Sequence, residues 1–345
     1  VNRVHFLVPG ALEDPAHPSG GNRYDRRLRS ELVRAGWQVR LVRIGGARQV
    51  DERALLDELT ALPQAEPVLM DGLLAAAAPA VVAAHARRLR IVILLHMLPA
   101  GLDESSGYPL VLRAARAVIT TSEWARLQLR ETGYAEPGRI VAAPPGVDQA
   151  LPVVASPSGA RLRCVAALLP HKGQDVLLDA LRRIRALDWT CDLLGAADLD
   201  VAFTRGLHDQ ARTSGISPRV RFLEPRPATR TRELYDGADL LVVPSLTESY
   251  GMVVTEAIAC GIPVVAADTG GISEAMGTGD SRRPGLLVPP GDAAGLAEAL
   301  EAWLTRPALR AQLTAAAHER RRGLPAWQTT AATAARVLAS ARDEP

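Results

Sequence analysis

Short runs of branched apolar residues recur along almost the whole chain, and between them lie longer stretches with apolar residues three and four apart. The short runs read as strands covered on both faces, the longer ones as amphipathic helices. Such regular alternation specifies parallel sheets wrapped by helices, because each parallel strand pair needs a crossover connection. The strand pattern falls at Val4–Val8, Gln38–Val42, Pro67–Met70, Ile91–Leu95, Ala117–Thr120 and Ile140–Ala142, which together describe one doubly wound unit. It resumes at Leu162–Ala167 and continues through Cys191–Leu194, Val220–Leu223, Leu240–Val243 and Val264–Ala267, which describe another. Between the two series, Ala143–Asp148 and Leu151–Ala160 are rich in Pro, Ser and Gly without any period, and read as the linker. A chain of 345 residues that is 48% hydrophobic has material for both cores. Domains are expected at 1–150 and 151–324, followed by a C-terminal segment, 325–345, with a helix from about Pro325 to Arg342.

Forty basic side chains against 38 acidic ones leave a net charge of +2, with no long run of one sign, so a nucleic-acid partner has no support. Arg23, Arg26, Arg27, Arg29 and Arg34 crowd one predicted helix. A solvated helix face is the favoured explanation, and a peripheral membrane contact stays open beside it. Cys164, Cys191 and Cys260 sit inside apolar patterns without a Cys-x-x-Cys spacing and read as buried free thiols of a reducing compartment. The first strand pattern begins without a charged and apolar leader. The longest apolar stretch, Leu73 to Ala86, contains Pro79 and is too short to span a bilayer. A cytoplasmic location is the expectation.

Chemistry concentrates between Ser245 and Gly271, where a buried strand gives way to a helix and two glutamates, Glu248 and Glu256, stand eight positions apart. Open α/β sheets bind ligands at such corners. The helix pattern opens at Tyr250-Gly251-Met252, and Gly251 lets a ligand approach free backbone amides that suit a phosphate or sugar hydroxyls. Carboxylates are acceptor-only and suit vicinal hydroxyls, so two beside an anion site point to a nucleotide sugar. The plainer alternative is a pair of first-turn acids that complement the helix dipole.

This segment resembles the Glu-x7-Glu signature of the retaining glycosyltransferases of family 4, which have the GT-B fold. The likeness extends through the Gly-Ile-Pro-Val-Val turn at Gly261 and through Gly270-Gly271-Ile272-Ser273-Glu274. The resemblance implies an α/β, GT-B architecture: two doubly wound Rossmann-like domains facing across a cleft, with the C-terminal helix crossing back to the N-terminal domain. It implies that Glu248 faces the donor sugar, that Glu256 holds the ribose hydroxyls, and that Ser249, Tyr250, Gly251 and Met252 meet the sugar and diphosphate.

Lys172 stands at another strand-to-helix corner, Leu168 to Gly173, where a lysine acts as a point charge on phosphate. The family's diphosphate-binding lysine has a similar setting, but the family's arginine five residues earlier is replaced by Ala167. Charge neutralisation then passes to His171, Arg163 or Arg226, or donor binding is weakened. Gly20 and Gly21 lie in a loop before a helix that begins near Arg23, where the helix start can face the donor phosphate or the acceptor; the position matches the family's glycine loop, and both glycines are assigned to donor binding on that likeness. His96 ends a strand, where the resemblance implies contact with the donor sugar near the reacting carbon. Asp71 and Asp103 are further candidates.

No His/Cys/Asp cluster has metal-ligand spacing and no Asp-x-Asp ends a strand, so no metal and no cofactor are expected. The expected activity is transfer of a sugar from a nucleoside diphosphate sugar to a small-molecule acceptor, with retention. UDP-sugar is taken as the donor on family frequency alone. The alternatives are a nucleotide-sugar epimerase of the same fold and a catalytically weakened nucleotide-sugar-binding homologue.

Overall fold

The computed structural model describes residues 2–46, 50–98, 106–225, 231–277 and 283–343. The chain divides into two compact units. The first comprises Val1–Asp14, Ser19–Gly146 and Pro325–Pro345, and the second comprises Pro15–Pro18 and Val147–Leu324.

The first unit holds strands β1 (Arg3–Pro9), β2 (Gln38–Ile44), β3 (Pro67–Asp71), β4 (Arg90–Leu95), β5 (Ala117–Thr120) and β6 (Ile140–Ala142). They form one parallel sheet in the order β2-β1-β3-β4-β5-β6. Every residue of β3 and β5 is buried, as the uninterrupted apolar runs require when helices cover both faces. The apolar stretch at 73–86 is two short helices, Gly72–Ala77 and Pro79–His85, broken at Ala78, because Pro79 has no N–H to continue the first. The C-terminal helix, Trp327–Asp343, belongs to this unit. Trp327 is buried edge-on against Tyr24, and Thr330 donates to the Pro144 carbonyl at 2.7 Å.

The second unit holds β7 (Arg161–Val165), β8 (Thr190–Leu194), β9 (Val220–Leu223), β10 (Leu240–Val243), β11 (Val264–Ala267) and β12 (Gly285–Val288), again one parallel sheet. Its order is β12-β11-β10-β7-β8-β9, so the winding reverses between β7 and β10. In the first sheet the reversal lies between β1 and β3. At such a point the connections after neighbouring strands leave toward opposite faces and open a crevice at the carboxyl ends. The core between this sheet and the helix Gln174–Arg183 is anchored by Trp189 and Trp303, whose indole N–H groups donate to the Ile184 and Gly159 carbonyls.

Three local expectations need correction. β7 ends at Val165, so Ala166 and Ala167 belong to the loop that follows. Gly20 and Gly21 are not a loop but the first turn of the helix Gly20–Arg34, since the Ser19 hydroxyl accepts the Asn22 N–H at 3.0 Å and caps it there. The edge strand β12, four residues long, escaped the sequence pattern. Among the described residues no helix is long and apolar enough to cross a membrane.

Candidate functional site

In the second unit the loops after β7 and β10 run against each other. Pro170–Lys172 is a short helical turn closed by Gly173 at a φ of 67°. A Cβ on Gly173 would lie 2.2 Å from the Pro244 carbonyl oxygen, so only glycine permits this approach. The Leu246 amide donates to the His171 carbonyl at 2.9 Å and pins the two loops. Lys172 Nζ therefore reaches Glu248 Oε2 at 2.8 Å, with both side chains about one-fifth exposed (21% and 20%). From the other side the Glu248 backbone is fixed by Gly270, at a φ of 58°, where a Cβ would fall 1.4 Å from the Glu248 oxygen.

Gly251 opens the helix Met252–Ala259. Ser249 and Tyr250 are buried just before it, and burial, then Glu274, pushes the Tyr250 hydroxyl further from ionisation. Glu256 lies within this helix, only 4% exposed, and its Oε2 accepts a hydrogen bond from the Tyr235 hydroxyl at 3.0 Å. Tyr235 had no place among the sequence candidates. Its ring is fully covered, and its apolar neighbourhood gave no sign of the contact.

The substitutes suggested for the arginine missing at Ala167 fare differently. Arg163 is committed: its guanidinium donates to the Leu234 and Asp236 carbonyls at 2.8 and 3.0 Å and to Asp192 at 2.9 Å. Burial, and then the neighbouring Lys172 charge, lowers the pKa of His171, which keeps the ring neutral at neutral pH. Arg226 lies outside the described residues. The Ala167 carbonyl accepts from the fully buried Gln174 at 2.9 Å.

In the first unit His96, just past β4, meets two carboxylates from other elements. Its Nε2 is 2.8 Å from Asp25 Oδ1 and 3.5 Å from Asp71 Oδ2. Asp71 ends β3 and caps the next helix, accepting the Leu73 N–H at 2.6 Å. Asp25 is on the inward stripe of Gly20–Arg34 with Tyr24, Leu28 and Leu32, and is fully buried. A Cβ on Gly21 would sit 3.3 Å from the His96 ring, so the first turn of that helix is packed against the imidazole. Asp103 lies outside the described residues.

Spacing along the chain showed no metal-type cluster, yet Asp25, Asp71 and His96 bring ligand-type atoms within 4.8 Å of one another. The elements that converge at the β1/β3 reversal supply them, from positions too far apart for any local motif. Asp25 did leave one signal: a carboxylate on an apolar helix stripe demands a buried partner.

Residues 156–320 match the family described as glycosyl transferases group 1. The matched segment lies within the second unit. Among its relatives, the D-inositol 3-phosphate glycosyltransferase of Stackebrandtia nassauensis is 33% identical over 229 residues, covering 61% of this chain and 51% of that protein. The D-inositol 3-phosphate glycosyltransferase 2 of Catenulispora acidiphila is 34% identical over 251 residues, 67% of this chain and 57% of that protein. The chain thus spans about half the length of the relatives it matches. Solved structures cover it almost entirely. Sucrose-phosphate synthase from Thermosynechococcus elongatus superposes with a TM-score of 0.79 at 22% identity over 99% of each chain. Anabaena HepE in complex with UDP-glucose gives 0.77 at 20% identity, over 98% of this chain and 99% of that one. The fold is GT-B, built from two Rossmann-like domains.

Proposed function

We propose that this chain is a glycosyltransferase that moves a sugar from a nucleoside diphosphate sugar to a small-molecule acceptor, with retained anomeric configuration and without a divalent ion. The observation that carries the reading is the Lys172–Glu248 pair at the β7/β10 reversal, with Glu256 in the helix that follows. Lys172 supplies a point charge for the diphosphate, and the amides at the start of Met252–Ala259 supply further donors. Glu256, its carboxylate held by Tyr235, is the acceptor for the ribose hydroxyls. UDP-glucose bound to the HepE neighbour supports a UDP-sugar as donor. The names of the inositol-phosphate relatives support a small phosphorylated polyol as acceptor.

In this reading the resting ion pair is part of the mechanism. The pair is partly covered but open on one side, so an arriving diphosphate takes Lys172 and releases Glu248 toward the sugar. The departing phosphate takes the acceptor's proton on the same face, which preserves configuration and needs no enzyme nucleophile. Glu248 and His96 are the catalytic assignments, and both are read from the family likeness.

A nucleotide-sugar-binding homologue without turnover is the second reading, favoured by one observation. With Ala167 in place of a cation, Arg163 tied elsewhere and His171 neutral, Lys172 meets the diphosphate with little help from these positions.

Calorimetric titration of UDP, run in chelator, tests the site. Lys172→Ala and Glu256→Ala should each weaken binding by about 1–3 kcal/mol, the loss of a charge-assisted hydrogen bond. Unchanged affinity in both removes the donor site from this corner. Binding that stays intact while a panel of polyol phosphates yields no product would favour the second reading.

A further inference from the structure

At 2.8 Å from a carboxylate oxygen, His96 Nε2 carries a proton in either charge state, so the charge of His96 is decided at Nδ1. Among the described residues no hydrogen bond occupies Nδ1. Asp25 is fully buried and its second oxygen, Oδ2, meets no hydrogen-bond partner there. A carboxylate so placed is costly unless a cation neutralises it. The groups that face it are known. Asp71 Oδ2 is 3.5 Å from the same nitrogen, with the Asp71 and Asp25 carboxyl groups close enough to interact, and Tyr24, edge-on to the ring at 5.2 Å, spends its hydroxyl on the Ala143 carbonyl. Tyr108, from the helix Tyr108–Ala114, is pushed up to about 12 by burial and then by Asp71, so it stays neutral. Thr121 donates to the His96 carbonyl. Among these neighbours none is a cation, which leaves His96 itself.

We infer that Asp25, with Asp71 behind it, is a positioning residue that keeps His96 as the imidazolium at neutral pH, so that Nδ1 is a hydrogen-bond donor rather than an acceptor. The ligand atom it serves is therefore an oxygen acceptor, such as a sugar hydroxyl or a phosphate oxygen. Insofar as that ligand is the transferred sugar, the inference rests on the function proposed above. The electrostatics agree with the geometry. Burial alone pulls His96 down, but the charge and hydrogen bond of Asp25, and then Asp71, outweigh it and raise the imidazole to about 9. Burial raises Asp71 to about 6, with His96 pulling against it and Asp25 adding to it.

The test is an imidazole NMR titration of the unliganded full chain, with His96→Gln to assign the resonance. The wild-type midpoint should lie near 9 and fall by more than one pH unit in Asp25→Asn, and by less in Asp71→Asn. A wild-type midpoint at or below the ordinary 6.5 overturns the inference even if neither variant folds. A His96 resonance that shifts and ceases to titrate on adding one equivalent of zinc also overturns it, because the cluster would then be a metal site. The alkaline limit of kcat/KM for sugar transfer supplies the second readout. It should follow the same midpoint and move down in Asp25→Asn, which a purely structural role would not produce. The expected NMR midpoint with a flat pH profile keeps the imidazolium but removes His96 from the sugar-transfer reading, so the two failures are distinguishable.

Discussion

The Lys172–Glu248 pair of the second unit and the His96–Asp25–Asp71 cluster of the first both lie beside a reversal in strand order, yet they are built in opposite ways. The pair stands on loops, one-fifth exposed, and its geometry is fixed by the main chain where glycines let two loops touch. The cluster stands on a helix stripe and two strand ends, almost wholly covered, and its geometry is fixed by side-chain packing. Fully exposed ion pairs contribute only about 0–1 kcal/mol, and this partly covered pair is parted by a ligand that itself supplies an anion to Lys172 in place of Glu248. Removing one partner of a buried pair costs about 3–5 kcal/mol, because a charge is left uncompensated. One arrangement is suited to exchanging partners and the other to holding a charge in place.

The largest expected effect would break this contrast if it came out even. Glu248→Gln and His96→Ala should each lower turnover by about 10²–10⁴-fold, the scale on which a positioned polar group acts in the transition state. Their effects on UDP affinity should differ. Glu248→Gln takes a competing carboxylate off Lys172, so UDP should bind as tightly as before or more tightly. His96→Ala leaves Asp25 without its cation, so its melting temperature should drop while the UDP affinity of the second unit stays near wild type. Turnover assays paired with calorimetry separate the two, and NMR of the product should show the donor's anomeric configuration. Weaker UDP binding by Glu248→Gln would show that the resting ion pair is not a competitor of the diphosphate.

Glycine substitutions carry the comparison to the backbone. In Gly270→Ala the new methyl would fall 1.4 Å from the Glu248 carbonyl oxygen at a φ of 58°, so the loop must move. Overpacking and left-handed strain together should cost about 1–3 kcal/mol of stability and displace Glu248. In Gly21→Ala the methyl meets the His96 ring at 3.3 Å inside a helix, where alanine is also the better helix former. That variant should change stability by less than about 1 kcal/mol. Denaturant unfolding of both checks the ordering. Equal losses would mean that the loops of the second unit are as adaptable as a side chain.

The same contrast governs what could be read in the sequence. The fold was legible because each buried parallel strand is a contiguous apolar run: β5, β6, β9, β10 and β11 have the bounds their residues suggested. β12 was not legible, since its four residues are too few to establish a period and its place at the edge comes from pairing with β11. The helix start at Gly20 was hidden because two glycines suggest a turn, whereas the Ser19 cap overrides them. Candidates in the second unit emerged from local motifs, because one loop and one helix carry Glu248, Ser249, Tyr250, Gly251, Met252 and Glu256 together. The contact of Lys172 with Glu248, 76 positions apart, needed the strand order, which sets β7 beside β10. Asp25 needed it too, being 71 positions from His96, and no pattern of spacing links the two.

Glu256 belongs to neither class cleanly, and the smallest predicted effect concerns it. It comes from the motif-rich helix of the second unit, yet it is buried like the cluster of the first and its carboxylate touches the Tyr235 hydroxyl at 3.0 Å. If Glu256 is held by packing in the manner of His96, Tyr235→Phe removes the hydroxyl that meets Glu256 at 3.0 Å and the Val253 carbonyl at 3.2 Å, and keeps the ring. UDP affinity should then fall by about 0.5–1.5 kcal/mol, roughly two- to tenfold. The change should appear with uridine as well as with UDP, since the affected contact is to the ribose, whereas Lys172→Ala should weaken UDP and spare uridine. Titration of both ligands into both variants gives four numbers that separate the ribose from the diphosphate contribution. A Tyr235→Phe variant that binds uridine like the wild type would show that the Tyr235 hydroxyl is not what orients Glu256. The ribose contact of the second unit would then not depend on that side-chain hydrogen bond, in contrast to the reliance of His96 on Asp25 in the first unit.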